Sequence, residues 1–469
     1  MSIRFDDLTF SYFEDSKNII DHFSAEFNAE KIHVLTGVSG CGKSTLLYLA
    51  AGLYPHNGGV VRGGRVLIDD KEAATLPAND RCALAGMMFQ NPELQFCMDT
   101  VRNELIFCLE NLCTPPEEVE SEIDRALDFC EIQHLKHRML HTLSGGEKQK
   151  VMLACLVMIK PSWLLLDEPF ANIDNASAAQ ITQKLRQLHD EQGTGILAVD
   201  HRLDHWIGVA DDLSIFRDGA LLPYTLDLHK PDYSRIEQEG IIAPGLPYSP
   251  HLAAANAGEV VLELKNICVS YGKKTILSSL NAAFRRGLIY AIVGESGCGK
   301  STLFNALAGI CHYSGTILLD GQDLKKSKRK SFGKLGFVTQ NPQDQFIGGT
   351  VRQEISSSLK TDAEAQSEAI LRDIHLWRYR EISPYLLSQG QQRRLGVASL
   401  MAYDCQVLIC DEPTYAQDRN NTITIMDDLC RQAREHQVAL IFSTHDTQLA
   451  KDYSDVVLTL KGGQLYETT

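Results

Sequence analysis

The sequence predicts an α/β protein of two tandem phosphate-loop (P-loop) domains, and three observations predict it. At 469 residues the chain is long enough for two or more domains. It also repeats itself in a fixed order. GVSGCGKST at Gly37–Thr45 returns as GESGCGKST at Gly294–Thr302, FQNPELQF at Phe89–Phe96 as TQNPQDQF at Thr339–Phe346, and LLLDEP at Leu164–Pro169 as LICDEP at Leu408–Pro413. The offset is a constant 244 for Ser144 to Ser388, Asp167 to Asp411 and His201 to His445, which marks a duplicated domain. Within each copy an apolar run, KIHVLTG or LIYAIVG, feeds a glycine-rich turn and then a helical run, TLLYLAAGL or TLFNALAGI.

Composition narrows the class. With 44% hydrophobic and 22% charged residues the chain reads as an ordinary globular protein. Lys plus Arg number 45 against 60 Asp plus Glu, a net charge of -15, which argues against a protein that rides on nucleic-acid backbones. No run approaches the roughly 20 apolar residues that cross a bilayer, and the N-terminus lacks the basic and apolar regions of an export signal, so a cytoplasmic address is expected. The 13 Cys include no C-x-x-C pair and read as reduced, buried thiols.

Taken along the chain, each half opens with short alternating segments such as VVLELKNICVSY at Val260–Tyr271, which read as strands of a sheet edge. The pattern G-x-x-x-x-G-K-[S/T] follows, met by Gly37, Gly42, Lys43, Ser44 and by Gly294, Gly299, Lys300, Ser301; Ser39, Gly40, Thr45 and Ser296, Gly297, Thr302 complete the loops. The glycines let backbone N–H groups wrap phosphates, the lysines reach the β/γ-phosphates, and Ser44 and Ser301 present hydroxyls to Mg2+. WLLLDEP and VLICDEP are buried-strand runs ending in paired carboxylates, so Asp167 and Asp411 suit Mg2+ while Glu168 and Glu412 suit polarising a water. Domain 1 is placed at 1–222, a linker at 223–258 and domain 2 at 259–469. The linker, with five prolines, reads either as a flexible connector or as an ordered strap, since it also carries Ile241, Ile242 and aromatics.

LSGGEKQ at Leu143–Gln149 and LSQGQQR at Leu387–Arg393 complete the set, and with them the chain resembles the ATP-binding-cassette (ABC) family of ATPases over nearly its whole length. The resemblance implies, for each half, a RecA-like α/β core, an antiparallel β subdomain and a helical subdomain, with ATP and Mg2+ as cofactors. It implies that Ser144, Gly145, Gly146 and Ser388, Gly390 bind the γ-phosphate of nucleotide held by the opposite half, pairing Lys43 with Ser388 and Lys300 with Ser144. Gln90 and Gln340 match the glutamine that contacts Mg2+, His201 and His445 the switch histidine, Tyr12 and Tyr271 the aromatic that stacks on adenine, and Asp174 and Asp418 the loop that crosses to the other domain. Two positions depart from the family pattern: Gln389 stands where Gly is usual, which predicts a slower site at Lys43, and Glu147 stands where Gln is usual.

The Q-N-P-x-x-Q-F strings and the T-V-R-x-E at Thr100–Glu104 and Thr350–Glu354 resemble the ATPases of energy-coupling-factor importers, which take up vitamins and transition-metal ions. That resemblance implies peripheral attachment at the cytoplasmic face of the membrane. The partners would be a separate membrane scaffold and substrate-binding subunits, with no nucleic acid and with the two halves pairing inside one chain. Only 24 residues follow His445, which leaves no room for a C-terminal regulatory barrel. Phe96 and Phe346 are candidate scaffold contacts or, equally, packing residues. The basic run Lys325, Lys326, Lys328, Arg329, Lys330 reads as a solvated turn in preference to a lipid contact. The rival readings are a soluble twin-cassette ATPase acting on ribosomes or DNA, and the ATPase of an exporter.

Overall fold

In the computed structural model, which describes all residues except 171–172, 174, 226–232, 251–255, 273, 296, 327–332, 340–341, 360–362, 388, 404, 416 and 469, each half of the chain forms its own unit. The first unit comprises Met1–Leu246 with Asp418–Asn420, the second Pro247–Gln417 with Asn421–Thr469.

The first unit runs β1 (Ser2–Ser11), β2 (Ile20–Asn28), β3 (Ile32–Thr36), α1 (Lys43–Ala50), β4 (Val60–Ile68), β5 (Lys71–Glu72), α2 (Ala78–Leu84), β6 (Ala85–Met88), α3 (Val101–Asn111) and α4 (Pro116–Phe129). It continues with α5 (Gly145–Ile159), β7 (Trp163–Asp167), α6 (Asn175–Gln192), β8 (Gly195–Val199), β9 (Asp212–Arg217), β10 (Ala220–Thr225) and α7 (Tyr233–Gln238). Alternation makes the small sheet: Ile3, Phe5, Leu8 and Phe10 are buried, and the antiparallel order is β2-β1-β4-β5. Continuous apolar runs make the other. In β3, β7 and β8 every residue is buried, as parallel strands covered on both faces require, and the order is β10-β9-β3-β8-β7-β6 with β10 antiparallel at the edge. Helices α3, α4 and α5 pack together through Val101, Leu105, Ile123, Leu127 and Leu153, each burial contributing about 1.5–3 kcal/mol.

The second unit repeats this plan with β11 (Val260–Tyr271), β12 (Lys274–Arg285), β13 (Ile289–Val293), α8 (Lys300–Leu307), β14 (Ser314–Leu319), β15 (Gln322–Asp323), β16 (Leu335–Val338), α9 (Val351–Ser356) and α10 (Ala363–Asp373). Then come α11 (Gln389–Met401), β17 (Val407–Cys410), α12 (Arg419–Glu435), β18 (Ala439–Ser443), α13 (Thr447–Tyr453), β19 (Val456–Lys461) and β20 (Gln464–Thr468). Its antiparallel sheet is β12-β11-β14-β15, and its mainly parallel sheet is β16-β17-β18-β13-β19-β20. Each half is thus a mixed α/β core with an antiparallel β layer and a helical layer, as the motif order implied.

The segment between the repeats buries its apolar residues at several points along its described length. Ile236, Ile241 and Ile242 are buried in the first unit, and Ile242 bridges to Arg202 in strand fashion. Its N–H donates to the carbonyl of His201 at 3.1 Å, and the N–H of Leu203 donates back to the Ile242 carbonyl at 2.9 Å. In the second unit Tyr248 is buried, its hydroxyl donating to Asp446 Oδ2 and its N–H to Asp452 Oδ2, both at 2.7 Å. The apolar residues of this segment make it a strap, because exposing them would forfeit their burial energy. All 13 Cys are free thiols, but Cys82, Cys97 and Cys113 are exposed, so burial does not hold for every one.

Of the basic run, Lys325 is spent within the fold: Nζ donates to Tyr313 O at 2.9 Å and lies 4.0 Å above the Tyr313 ring. Lys328, Arg329 and Lys330 lie outside the described residues.

Candidate active site

The groups singled out in the first half converge at the C-terminal ends of β3, β7 and β8, where an open parallel sheet presents its ligand-facing loops. Gly42 caps α1 with φ +106, a left-handed turn that favours glycine, and Gly37 lies so close to β9 that a Cβ there would stand 2.2 Å from Phe216 O. Lys43, 5% exposed, sits inside the loop with Nζ donating to the carbonyls of Gly37 and Val38, each at 2.8 Å. Ser39 and Gly40 are exposed at the loop tip. Buried Thr45 shares a 2.7 Å hydrogen bond with the hydroxyl of Tyr12, which places that aromatic beside the loop with its ring 38% exposed.

At the end of β7 the Asp167 carboxylate accepts from Ser44 Oγ at 2.7 Å and from Tyr48 OH at 3.0 Å. Burial pushes Asp167 up to about 6, against the pull of these two donors. Glu168 has a left-handed backbone, φ +46, rare for a non-glycine and a form of strain found at functional sites. Its carboxylate meets Nε2 of Gln90 at 2.5 Å and Nδ1 of His201 at 3.0 Å. Burial alone would raise Glu168, but His201, Lys43 and Gln90 outweigh it and hold the group below its usual value. Burial would lower His201, and Glu168 reverses the sign.

The signature of this half opens α5. Ser144 is the N-cap, and Glu147 reaches back to its N–H at 2.7 Å and its hydroxyl at 2.9 Å, a capping box. The Glu in place of Gln therefore fixes the helix start. Gly145 and Gly146 form the first turn, and a Cβ on Gly146 would meet Ser177 Oγ at 2.9 Å.

The second half builds the same site with different supports. Gly299 caps α8 at φ +110, and Lys300 Nζ donates to Gly294 O at 2.7 Å and Glu295 O at 3.2 Å. Gly297 turns at φ +75, and Tyr271, 55% exposed, lies close to Thr302 and Cys311. Asp411 accepts from Ser443 Oγ at 2.6 Å and has Ser301 close by. Glu412 repeats the left-handed backbone at φ +48, and its carboxylate meets His445 Nε2 at 2.5 Å. Ser296, Gln340 and Ser388 lie outside the described residues, as do Asp174 and the side chain of Gln389; Gly390 sits in the first turn of α11.

The donor set fits Mg2+. Each half offers one carboxylate and one hydroxyl, hard oxygen donors, and among the described residues no cluster of three or more His, Cys, Asp or Glu forms an all-protein cage. That sparse set is what a Mg2+ shared with substrate phosphates uses.

Several supporting residues lie outside the phosphate-loop, carboxylate and signature motifs. Tyr48 holds Asp167 in the first half, where the position 257 further on is Asn305, and Ser443 holds Asp411 in the second, where its counterpart is Val199. Gln95 pins the end of β6, accepting from Phe89 N at 2.8 Å and donating to Met87 O at 2.9 Å. Glu104, 3% exposed, accepts from the N–H groups of Cys97 and Met98, and Glu354 does the same for Ile347 and Gly348. The T-V-R-x-E string thus has a local cause: Thr caps the helix and Glu ties down the preceding loop. Phe96 and Phe346 pack inward on the helical layer, while their neighbours Leu94 and Ile347 are 79% and 74% exposed. A cleft of about 300 Å³ beside the first loop is lined by Phe89, Gln95, Phe107 and Met152, and a groove of about 860 Å³ in the second unit by Ile310, Leu335, Leu400 and Tyr403.

A duplicated α/β unit with a lysine-bearing phosphate loop and a buried carboxylate pair defines a P-loop nucleotide hydrolase. More narrowly, the description "ABC transporter" matches residues 20–171 and 277–415, and the chain belongs to that family as an ATP hydrolase with two fused cassettes. It is 35% identical to "Putative HMP/thiamine import ATP-binding protein YkoD" of Bacillus subtilis (strain 168), over 97% of this chain and 88% of that one. It is 28% identical to a "Putative ABC transporter ATP-binding protein" of Methanosarcina acetivorans, over 99% of this chain and 85% of that one. Among solved structures it is similar to a chain from a model of ribosome-bound archaeal Pelota and ABCE1, with a TM-score of 0.68 and 17% identity over 99% of this chain and 78% of that one, a likeness of fold alone. Among the described residues no helix is long and apolar enough to cross a membrane.

Proposed function

We propose that this chain is the ATP-hydrolysing subunit of an energy-coupling-factor type importer, powering uptake of a small micronutrient through separate membrane subunits at the cytoplasmic face. The cargo class is a vitamin, a vitamin precursor or a transition-metal ion. The observation that carries the reading is the catalytic set present in both halves, Lys43 with Asp167, Glu168 and His201, and Lys300 with Asp411, Glu412 and His445. In the first half the Q-N-P-x-x-Q-F loop presents an exposed apolar side chain, Leu94, next to a cleft that suits a helical element of a membrane scaffold, and in the second half Ile347, just after the matching loop, is exposed as well. The Bacillus relative, named for HMP/thiamine import, supports import and a vitamin-like cargo.

In this reading Lys43 and Lys300 bind the β/γ-phosphates, and Ser44, Gln90, Asp167 and Ser301, Gln340, Asp411 hold Mg2+, which neutralises phosphate charge when bound. Glu168 and Glu412 orient the attacking water and accept its proton, and His201 and His445 hold those carboxylates in place. By family resemblance, Ser144, Gly145, Gly146 and Ser388, Gly390 complete the nucleotide site of the opposite half, and Tyr12 and Tyr271 stack on adenine.

The test is to purify the tagged Glu168→Gln, Glu412→Gln double variant with ATP from native membranes and identify what accompanies it. Multi-span membrane proteins, with one copy of this chain per complex, are expected, and the small substrate-binding subunit among them points to the cargo. Ribosomal or DNA-repair proteins without a membrane partner would sink the importer reading.

A further inference from the structure

Helix α11 begins at the second signature and carries Arg393 one turn along it. Arg393 is 3% exposed, and its Nη1 donates to the backbone carbonyl of Glu412 at 3.3 Å. A guanidinium that deep in the fold is costly unless it is paired, and burial pulls its pKa down to about 10. Among the described residues, the carboxylates that act on it are those of Asp411 and Glu412, at the end of the catalytic strand. Glu412 also has a strained backbone, left-handed at φ +48. The buried cation therefore grips the carbonyl of the strained residue and faces its carboxylate.

The first half has the same strained turn without that grip. Glu168 is left-handed at φ +46, yet position 149, the counterpart of 393 at the constant offset of 244, is a glutamine. Gln149 is 1% exposed, and neither its side-chain nitrogen nor its oxygen has a partner among the described residues. The two halves thus enclose the same position equally but join it to the catalytic strand in the second half alone.

The structure assigns to Arg393 a role that its motif does not record: we infer that it is a positioning residue, tying the start of the signature helix to Glu412 of its own half and making the second site the faster of the two. The inference rests on Glu412 being the water-orienting carboxylate. A signature helix that shifts when it meets nucleotide then moves that carboxylate with it, whereas in the first half the same shift is not transmitted through position 149.

The test is steady-state ATP hydrolysis by the full chain carrying Arg393→Gln, the residue that the first half already accommodates in this place, alongside Arg393→Lys and Glu412→Gln. Arg393→Gln is expected to lower kcat about tenfold, part of the roughly hundredfold that a 1 Å misplacement of a catalytic group can cost, with KM for ATP within twofold of the parent. Arg393→Lys, which keeps a buried cation and a donor, is expected to recover kcat to within about threefold of the parent. A kcat for Arg393→Gln within twofold of the parent overturns the inference. So does a loss that Lys does not rescue, or one matched by a rise in KM, because either marks a packing defect. Should Glu412→Gln itself leave kcat within twofold, the assignment of Glu412 fails, and that outcome is distinguishable from failure of Arg393 alone.

Discussion

Two glycines of the first phosphate loop answer differently to the same added methyl group. At Gly37 a Cβ would stand 2.2 Å from the carbonyl oxygen of Phe216, and Phe216 lies in β9, which is hydrogen-bonded to β3 along its length. Ordinary contact begins near 3.4 Å, so the loop or the strand has to move by more than an ångström. Overpacking of that kind costs about 1–3 kcal/mol, and the left-handed backbone at φ +148 adds about 1 kcal/mol for a residue with a Cβ. At Gly40 the φ of +79 imposes the backbone strain, but nothing lies within 4 Å of the new Cβ. The lost chain entropy of alanine in the unfolded state offsets about 0.4–1 kcal/mol of that strain. Gly37→Ala is therefore expected to cost about 3 kcal/mol and Gly40→Ala less than about 1 kcal/mol. For a unit of this size those figures correspond to a fall in Tm of roughly 6–12 °C and no more than about 4 °C. The assay is thermal unfolding of the full chain together with a binding measurement using fluorescent ATP. Gly37→Ala should lose both stability and nucleotide binding, since the carbonyls of residues 37 and 38 cradle Lys43. If the two variants melt within about 2 °C of each other and both bind ATP, the close approach to β9 does not constrain the loop and the reasoning is wrong.

Glu412→Gln is expected to reduce ATP hydrolysis more than Glu168→Gln does, because Gln389 burdens the signature that serves Lys43; equal losses in steady-state kcat would contradict that. At the base of β3, Nδ1 of His33 lies 3.0 Å from Oδ2 of Asp212, and this hydrogen bond is the main cause holding the Asp212 carboxyl below its usual value. A depressed carboxyl contributes stability that is present above its unfolded pKa of about 4 and is lost as pH falls through the folded one. Asp212→Asn should therefore cost about 1 kcal/mol in urea unfolding at pH 7, with the gap closing at acid pH; a gap independent of pH would show that the charge is not involved. Tyr248→Phe removes the 2.7 Å bond to Asp446, the N-cap of α13, and should lower stability by about 1 kcal/mol without changing KM for ATP, as read by denaturant unfolding and initial rates.

The candidate catalytic residues could be singled out in the sequence because they sit at the ends of strands that the fold makes neighbours. Lys43, Asp167 and His201 each follow a fully buried parallel strand, and the ends of adjacent strands bring their loops together whatever the intervening sequence. What the sequence hid is the packing direction of single residues within a motif. In Q-N-P-x-x-Q-F the phenylalanine reads equally as a scaffold contact or as a packing residue; Phe96 and Phe346 turn into the helical layer, while Leu94 and, just past the second string, Ile347 face outward. Short 3-10 turns at Pro92–Leu94 and Pro342–Gln345 set those directions, and three residues per turn leave too little pattern to read. The strap was equally opaque, because its prolines signal a linker while its burial depends on isolated residues, Ile236, Ile241, Ile242 and Tyr248, that have no periodicity.

The duplication shows why motif identity is an incomplete guide to how the two sites compare. Asp167 and Asp411 occupy matching strand ends, but one is held by a tyrosine from α1 and the other by a serine from β18. Glu168 and Glu412 share a backbone conformation and a histidine partner, but only the second has a guanidinium on its carbonyl. In each case the candidate catalytic carboxylate is unchanged and the residue behind it differs. A change there leaves the chemistry available to both halves and alters how firmly the reacting carboxylate is placed, which shifts rate far more readily than it shifts binding. Two intact sets of motifs are therefore compatible with two unequal sites, since the halves differ at positions 48 and 443, outside the phosphate-loop, signature and carboxylate patterns, and at 149 and 393, the last residues of the signature strings.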